Sequence, residues 1–199
     1  NLGIAVGENF KYAKVLVNDK KYIVASDLLS SLAKEFNWEN YEVLSTFDGK
    51  DLEGIKYKHV FMDRISKVVL GFHVTLDSGT GLVHIAPSYG ADDFIIGKQY
   101  DLGMVNGVND NGVLNEESGE FAGLYFEDAN KAVTQKLEDL GCLLKLKFIN
   151  HSYPHDWRTK KPIIFRATAQ WFCSIEKIRK ELLDEIENNI GFHTPWGKT

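Results

Sequence analysis

The sequence predicts a mixed α+β fold with a β-barrel core flanked by helices, and two observations carry this prediction. In the first half of the chain, short runs of β-branched and aromatic residues are separated by clusters of Asn, Asp, Gly and Lys, as in closely spaced antiparallel strands. In the second half, segments with the apolar periodicity of helices alternate with extended segments. Many short strands with few helices indicate a barrel or a strongly curved sheet.

The first half is predicted to consist of strands interrupted by one helix. Asn, Asp and Lys residues between positions 17 and 22 are typical of a hairpin turn. Ser26 or Asp27 can cap a helix over residues 28–36 by accepting hydrogen bonds from its free backbone N–H groups. The predicted strands are residues 12–17, 22–25, 41–47, 60–62, 68–76 and 82–86.

The second half is predicted to mix helices and strands. One helix covers residues 92–100, and a second is capped by Asp128 and ends before Gly141, which is suited to a helix stop. A third helix begins at Ser174 and has one apolar stripe. Strands are predicted at residues 143–149 and 162–167, and the Gly- and Asn-rich residues 101–120 form a long irregular loop.

The composition indicates a single domain in the cytoplasm. The 199 residues are enough for one sizeable core. Apolar runs are far shorter than the ~20 residues that cross a bilayer, and the first residues do not resemble a signal sequence. The two cysteines, Cys142 and Cys173, do not form a C-x-x-C pair, which fits a reduced compartment. The net charge of −5 argues against a broad nucleic-acid surface, although a domain that receives only one end of an RNA would not need such a surface.

Residues 79–94 form the first of two informative segments, Gly-Thr-Gly-Leu-Val-His-Ile-Ala-Pro-Ser-Tyr-Gly-Ala-Asp-Asp-Phe. It joins a short apolar strand that carries His84 to a loop and then to Asp92 and Asp93 at the start of a helix. An imidazole and a carboxylate placed in this way can line a small polar pocket for a ligand with an amine. The residues alone equally allow a structural role, because carboxylates at a helix start stabilise its dipole and a lone histidine in a strand is usually structural.

Residues 151–172, His-Ser-Tyr-Pro-His-Asp-Trp-Arg-Thr-Lys-Lys-Pro-Ile-Ile-Phe-Arg-Ala-Thr-Ala-Gln-Trp-Phe, form the second segment. With both segments, the chain resembles the editing (CP1) domain inserted into class I isoleucyl-tRNA synthetases of the bacterial type. Family members carry G-T-G-x-V-H-x-A-P-x-x-G-x-D-D-[YF] and H-S-Y-P-x-x-W-R-x-K-x-P-[IV]-I-F-R-A-T-x-Q-W-F. The related valyl enzymes commonly have lysine where His84 stands, which favours the isoleucyl branch.

The resemblance implies the editing-domain fold of the isoleucyl-, valyl- and leucyl-tRNA synthetases, with all 199 residues in one domain of a larger synthetase. About residues 1–150 would form the core, and about residues 151–199 the return connection towards the catalytic domain. The implied reaction is hydrolysis of the ester in valyl-tRNA(Ile), with water as nucleophile and without a metal or organic cofactor. ATP is used at the synthetic site of the parent enzyme, whose HIGH-type and KMSKS-type signatures this sequence lacks.

The resemblance also implies roles for individual residues. Asp93 would anchor the α-ammonium group, His84 would limit the size of the aminoacyl side chain, and Asn1 would end the Thr-rich strand of the editing pocket. These three residues form the predicted catalytic set. The predicted substrate-binding residues are Asp93, His84, Thr80, Gly81, Ser88 and Tyr89.

The implied partners are the 3′ end of a mischarged tRNA(Ile) and the rest of the synthetase in cis, with no membrane. Two alternatives stay open. The chain can be a non-catalytic module that binds tRNA or has a structural role, in which case Arg158 and Arg166 would matter more than Asp93. It can also be the editing domain of a valyl or leucyl relative.

Overall fold

Two β-sheets organise the first structural unit of the chain, Asn1–Ala167, and a second unit begins at Thr168. The computed structural model describes residues 1–198, apart from the side chains of Pro195 and Lys198. Strands and helices are both present, so the predicted mixed α+β class is confirmed. The predicted division near residue 150 between a core and a return connection stays a prediction.

The first sheet has four strands, and the strand nearest the amino terminus lies inside it. In spatial order they are β5 (Lys56–Lys58), β6 (Ile65–Leu70), β1 (Gly3–Val6) and β7 (Leu82–Ile85). Strand β1 runs parallel to β6 and antiparallel to β7. Among the described residues β7 lies at the edge of this sheet and pairs there with β1 alone.

Helix α2 (Ala91–Gln99) follows β7 and packs on this sheet. Its residue Ile96 is fully buried and belongs to one apolar cluster with Ala5, Val69 and Ile85 from three neighbouring strands. Burial of apolar side chains of this size contributes about 1.5–3 kcal/mol for each large residue. This packing fixes the amino-terminal end of α2 beside the carboxyl-terminal end of β7.

The second sheet has three strands in the order β3 (Lys20–Ala25), β2 (Lys11–Val17) and β4 (Glu42–Asp48). The turn between β2 and β3 places Asn18 at φ 45° and its neighbour Asp19 at φ 64°. Two successive left-handed residues match the twist of a tight hairpin, and Asn and Asp tolerate this conformation well. The predicted hairpin is therefore confirmed. Helix α1 (Leu29–Glu35) covers one face of this sheet.

Tyr12 joins the two sheets. Its side chain is fully buried, and its hydroxyl accepts a hydrogen bond from the N–H of Gly7 at 2.9 Å and donates one to the carbonyl of Gly81 at 2.7 Å. Next to it, the N–H of Ala25 donates to the carbonyl of Thr80 at 2.8 Å. The turn before β7 is therefore attached to the end of β3.

Helix α3 (Phe126–Asp139) and α4 (Arg179–Asn188) complete the α-helices of the described residues. Helix α3 begins at Phe126 rather than at the predicted Asp128, and Gly141 at φ 63° follows its end as predicted. Helix α4 lies in the second unit and follows a single 3₁₀ turn, Glu176–Ile178. None of the helices within residues 1–198 has the length and apolar character needed to span a membrane.

Several local predictions were wrong. Residues 60–62 lie in the loop between β5 and β6, and β6 ends at Leu70 instead of continuing to residue 76. Residues 143–149 and 162–167 form no strand because, within the described part of the chain, they have no ladder partner beyond one bridge between His155 and Pro162. Ser26 and Asp27 do not cap α1, because they form a 3₁₀ turn of their own. The strand pairs described for residues 1–198 form two separate sheets, so a closed barrel stays a prediction.

Candidate functional site

Asp93 lies in the first turn of α2, and its carboxylate is turned back towards the preceding loop. Its Oδ2 accepts a hydrogen bond from the backbone N–H of Ala86 at 3.0 Å. Gly90, the residue before the helix, permits this geometry, since a Cβ there would lie 3.2 Å from Asp93 Cγ. The helix dipole also favours a negative charge in this turn. The carboxylate is thus held in place before any ligand arrives, whereas its neighbour Asp92 is exposed.

His84 lies on the edge strand β7, directly opposite Ile4 of β1. His84 is partly open to solvent, yet the protein atoms around it lower its pKa by excluding water. The Asp93 carboxylate opposes this shift, so its charge lies near the ring. With a pKa below its ordinary value of about 6.5, His84 is mainly neutral at pH 7.

Asn1 is held at the same end of the first sheet. Its side-chain Oδ1 accepts a hydrogen bond from the Tyr57 hydroxyl at 3.4 Å, and its carbonyl oxygen accepts one from Arg64 Nη1, also at 3.4 Å. The next residue, Leu2, donates its N–H to the carbonyl of Ile85 at 2.8 Å. The fold therefore brings Asn1 to the end of the sheet where His84 and Asp93 lie, although Asn1 is far from both in sequence. The catalytic role of these three residues stays a prediction.

A cavity of about 220 Å³ begins beside this cluster. One wall is the β5–β6 loop with His59, Phe61 and Arg64, and a second wall is formed by residues between 105 and 121. Asn1 and Ala86 line the side next to Asp93. The cavity is mainly apolar and aromatic, with a few polar groups, which is typical of a small-ligand site.

Tyr89 and Ser88 belong to the loop between β7 and α2, but only Tyr89 reaches this cavity. Burial raises the pKa of the Tyr89 hydroxyl, while hydrogen bonds with the backbone of Val108 and Gly107 oppose the shift. The Ser88 side chain is 2% exposed, and within the described residues its hydroxyl has no hydrogen-bond partner. The Ser88 carbonyl accepts a hydrogen bond from the N–H of Ala167 at 2.7 Å. This bond attaches the last residue of the first unit to the loop between β7 and α2.

Thr80 and Gly81 lie at the opposite end of β7 from Ala86. Gly81 is at φ 78°, and a Cβ there would lie only 2.4 Å from the Cβ of Ala25. Together with the hydrogen bonds to Ala25 and Tyr12, this close approach gives the two residues a role in joining the sheets. The structure does not place them beside Asp93, and their predicted contact with substrate stays a prediction.

Several residues that line the cavity were not predicted from the sequence, and His59 is the most important of them. Its Nδ1 accepts the N–H groups of Met62 at 3.2 Å and Phe61 at 3.4 Å. These bonds turn the backbone and explain why residues 60–62 do not continue as a strand. No sequence pattern indicates this role of His59, because only the pairing of the short strand β5 with β6 brings the loop between them to Asn1.

Comparison with known proteins first defines the fold. The chain is similar to the crystal structure of GlLeuRS-CP1, with a TM-score of 0.58 and 16% identity over 77% of this chain and 79% of that chain. The matched part of the chain thus has the fold of a CP1 domain, as predicted. No family model matches the chain.

The sequence relatives are more specific. Over all 199 residues the chain is 57% identical to isoleucine–tRNA ligases of Bacillus cereus (strain AH820) and Bacillus anthracis (strain A0248). It spans 22% of the length of these relatives. The predicted resemblance to isoleucyl-tRNA synthetases is therefore confirmed for the segment that this chain covers.

Proposed function

We propose that this chain is the editing domain of an isoleucyl-tRNA synthetase and hydrolyses the ester bond of valyl-tRNA(Ile). The observation that carries the proposal is the convergence of His84, Asp93 and Asn1 beside one cavity. The 57% identity to isoleucine–tRNA ligases over the whole chain supports it. The partners are then the 3′ end of a mischarged tRNA(Ile) and the rest of a cytoplasmic synthetase, whose own synthetic site uses ATP.

Asp93 anchors the α-ammonium group of the aminoacyl ester. The N–H of Ala86 occupies one acceptor position on Oδ2, and an ionised carboxylate has about four such positions. The remaining positions can accept the ammonium in charge-assisted hydrogen bonds, which are about twice as strong as neutral ones. Because the carboxylate is already fixed by Ala86 and Gly90, little ordering is needed when the ligand binds.

His84 forms a neutral wall beside this anchor. A charged imidazole would repel the ammonium, so the lowered pKa of His84 is compatible with the ligand charge. Its ring then limits the volume open to the side chain. One methylene is worth only ~1–3 kcal/mol in a single apolar pocket, a limit for which isoleucyl-tRNA synthetases are themselves the standard example. A second site that excludes isoleucine adds the discrimination that the first site lacks.

The chemical step needs little beyond positioning. Water attacks the ester carbonyl, the bond to the ribose oxygen breaks, and that oxygen takes up a proton. The ester is already labile, so holding the ammonium and a water in line supplies the main contribution. We propose that the reaction requires neither a metal nor an organic cofactor.

The test compares Asp93→Asn with Asp92→Asn in the full-length synthetase that contains this segment. The side-chain amide oxygen introduced by Asp93→Asn can still accept the Ala86 N–H, so this substitution removes charge and keeps the local fold.

Hydrolysis of valyl-tRNA(Ile) should fall by about 10- to 100-fold in Asp93→Asn, because a hydrogen bond to a charged group contributes about 1.5–3 kcal/mol. It should be unchanged in Asp92→Asn, whose carboxylate is exposed. Wild-type hydrolysis by the Asp93→Asn enzyme would refute the anchor and with it the proposal.

A further inference from the structure

We propose that Arg166 is a positioning residue for the hydrolysis of the ester. It holds residues 105–121, which form one wall of the cavity and are called the wall segment below, against the loop between β7 and α2. The inference rests on the proposed function for the identity of the reaction. It gives Arg166 no contact with the substrate or with RNA, because the residue acts by fixing protein atoms that the substrate meets.

The guanidinium of Arg166 joins two acceptors of the wall segment. Its Nη1 donates a hydrogen bond to the carbonyl oxygen of Val108 at 2.8 Å, and its Nη2 donates one to Oδ1 of Asp110. The Arg166 side chain is 24% exposed, whereas that of Asp110 is 93% exposed. Water screens an exposed ion pair and leaves it little net strength. The hydrogen bond to the Val108 carbonyl is therefore the contact that fixes the wall segment.

The loop between β7 and α2 is held at the same place. Ala167, the residue after Arg166, donates its N–H to the Ser88 carbonyl at 2.7 Å. The next residue of that loop, Tyr89, forms a hydrogen bond between its hydroxyl and the backbone of Val108. Two consecutive residues, 166 and 167, thus contact both the loop and the wall segment, and Val108 is held by Arg166 and Tyr89 together.

The position of Val108 is important because the wall segment has little regular structure of its own. Residues 105–115 form neither a helix nor a strand beyond isolated bridges. The carbonyl of the preceding residue, Gly107, accepts the N–H of Asn115 at 2.9 Å and the hydroxyl of Ser118 at 2.8 Å. Gly107 and Ser118 both line the cavity. A displacement of Val108 therefore moves the surface of the cavity.

This arrangement predicts an effect on the chemical step rather than on binding. Asp93 and the N–H of Ala86 lie outside the wall segment, so the ammonium anchor is kept when Arg166 is changed. A displaced wall leaves the ester and the water out of line, and a misplacement of about 1 Å lowers a rate by up to about 100-fold. An arginine that bound the tRNA equally in the ground and transition states would change KM instead.

The experiment measures kcat and KM for hydrolysis of valyl-tRNA(Ile) by the full-length synthetase that contains this segment. Arg166→Met removes the guanidinium and keeps an unbranched apolar side chain. Arg166→Lys keeps a cation with rotatable donors but loses the planar fork. Lys161→Met is the matched control, because it removes an exposed cation from the same stretch of the chain.

We expect Arg166→Met to lower kcat about tenfold and to change KM by less than about twofold. Arg166→Lys should recover part of this loss, because an ammonium group can still donate to the Val108 carbonyl. Lys161→Met should leave both constants within about twofold of the wild type.

Hydrogen exchange in the 199-residue chain gives a second measurement that needs no substrate. The N–H of Asn115, which is bonded to Gly107 in the wall segment, should exchange about tenfold faster in Arg166→Met than in the wild type. Amides of strand β2 should keep their wild-type rates, which separates local loosening from a general loss of stability.

Three results would overturn the inference: a wild-type kcat in Arg166→Met, a raised KM at unchanged kcat, or equal acceleration of exchange in Asn115 and β2. If Asp93→Asn still loses hydrolysis in these cases, the proposed function survives and only the role of Arg166 is wrong. If the wild-type enzyme does not hydrolyse valyl-tRNA(Ile), the proposed function is wrong. Exchange of the Asn115 N–H then decides whether Arg166 holds the wall segment: faster exchange in Arg166→Met supports this, and an equal rate refutes it.

Discussion

The hydroxyl of Tyr12 donates a hydrogen bond to the carbonyl oxygen of Gly81 at 2.7 Å and so connects the three-stranded sheet to the strand that carries His84. At the same point, Gly81 approaches Ala25 so closely that a Cβ would lie 2.4 Å from the Cβ of that residue. The position of β7, the strand that carries His84, therefore depends on having glycine at position 81, where the two sheets meet.

Gly81→Ala is predicted to destabilise the chain more than Gly79→Ala. Both glycines have a left-handed φ, of 78° and 75°, so both substitutions carry the same backbone cost of about 1–2 kcal/mol. Only Gly81→Ala adds a clash, since no atom lies within 4 Å of a Cβ at Gly79. Overpacking costs about 1–3 kcal/mol, and urea unfolding should show a difference of this size between the two variants. Equal losses would contradict the close contact with Ala25.

The imidazole of His84 is predicted to titrate with a pKa below the ordinary histidine value of about 6.5. Asp93→Asn should lower the pKa of His84 further, because the Asp93 charge opposes the shift, and Asp92→Asn should leave it unchanged. NMR titration of the ring protons measures all three proteins. An unchanged pKa of His84 in Asp93→Asn would show that the Asp93 charge does not act on the ring.

The lowered pKa of His84 also determines how the free energy of unfolding changes with pH. The folded state resists protonation of His84, so the unfolded state takes up the proton first as the pH falls. The contribution of His84 to the free energy of unfolding is therefore full above about pH 6.5 and declines as the pH falls towards the lower pKa of the folded state. His84→Ala should remove this part of the pH dependence, as measured by urea unfolding at several pH values.

His84→Ala is also predicted to admit isoleucine to the proposed editing site. In the full-length synthetase, hydrolysis of isoleucyl-tRNA(Ile) relative to valyl-tRNA(Ile) should rise by about 10-fold or more, the range that one methylene controls in an apolar pocket. His151→Ala, which alters an exposed histidine elsewhere, serves as the control. An unchanged preference in His84→Ala would remove this residue from the size filter.

The sequence predicts local features of this fold well. The hairpin at Asn18 and Asp19 and the helix after Gly90 depend on residues that are adjacent in the chain, and both are confirmed. The proximity of His84 and Asp93 could be predicted from one motif, because the strand, the short loop and the start of the helix that carry them are consecutive in the sequence.

Features that depend on contacts between segments far apart in the sequence could not be predicted. Strand β1 was missed because its four residues are identified as a strand only by their partners in β6 and β7. His59 was missed for a related reason, since its environment is created by Asn1 and Phe121, which are remote in sequence. The predicted strand at residues 60–62 was wrong because side-chain hydrogen bonds of His59 override the β propensity of Val60 and Phe61.

The inner position of β1 also determines when the site is assembled. During synthesis β1 leaves the ribosome before the other strands of its sheet, but its partner β6 follows only after the whole three-stranded sheet has been made, and β7 follows later still. Contacts between such distant segments form slowly, because the entropy of closing the intervening chain is lost before the contacts stabilise it. Asn1 and His84 can therefore become neighbours only after β7 has been made, although Asn1 precedes it by more than 80 residues in the chain. A nascent chain that ends before residue 85 would lack the complete pairing of β1 with β7, which places His84 beside the amino-terminal end of the first sheet.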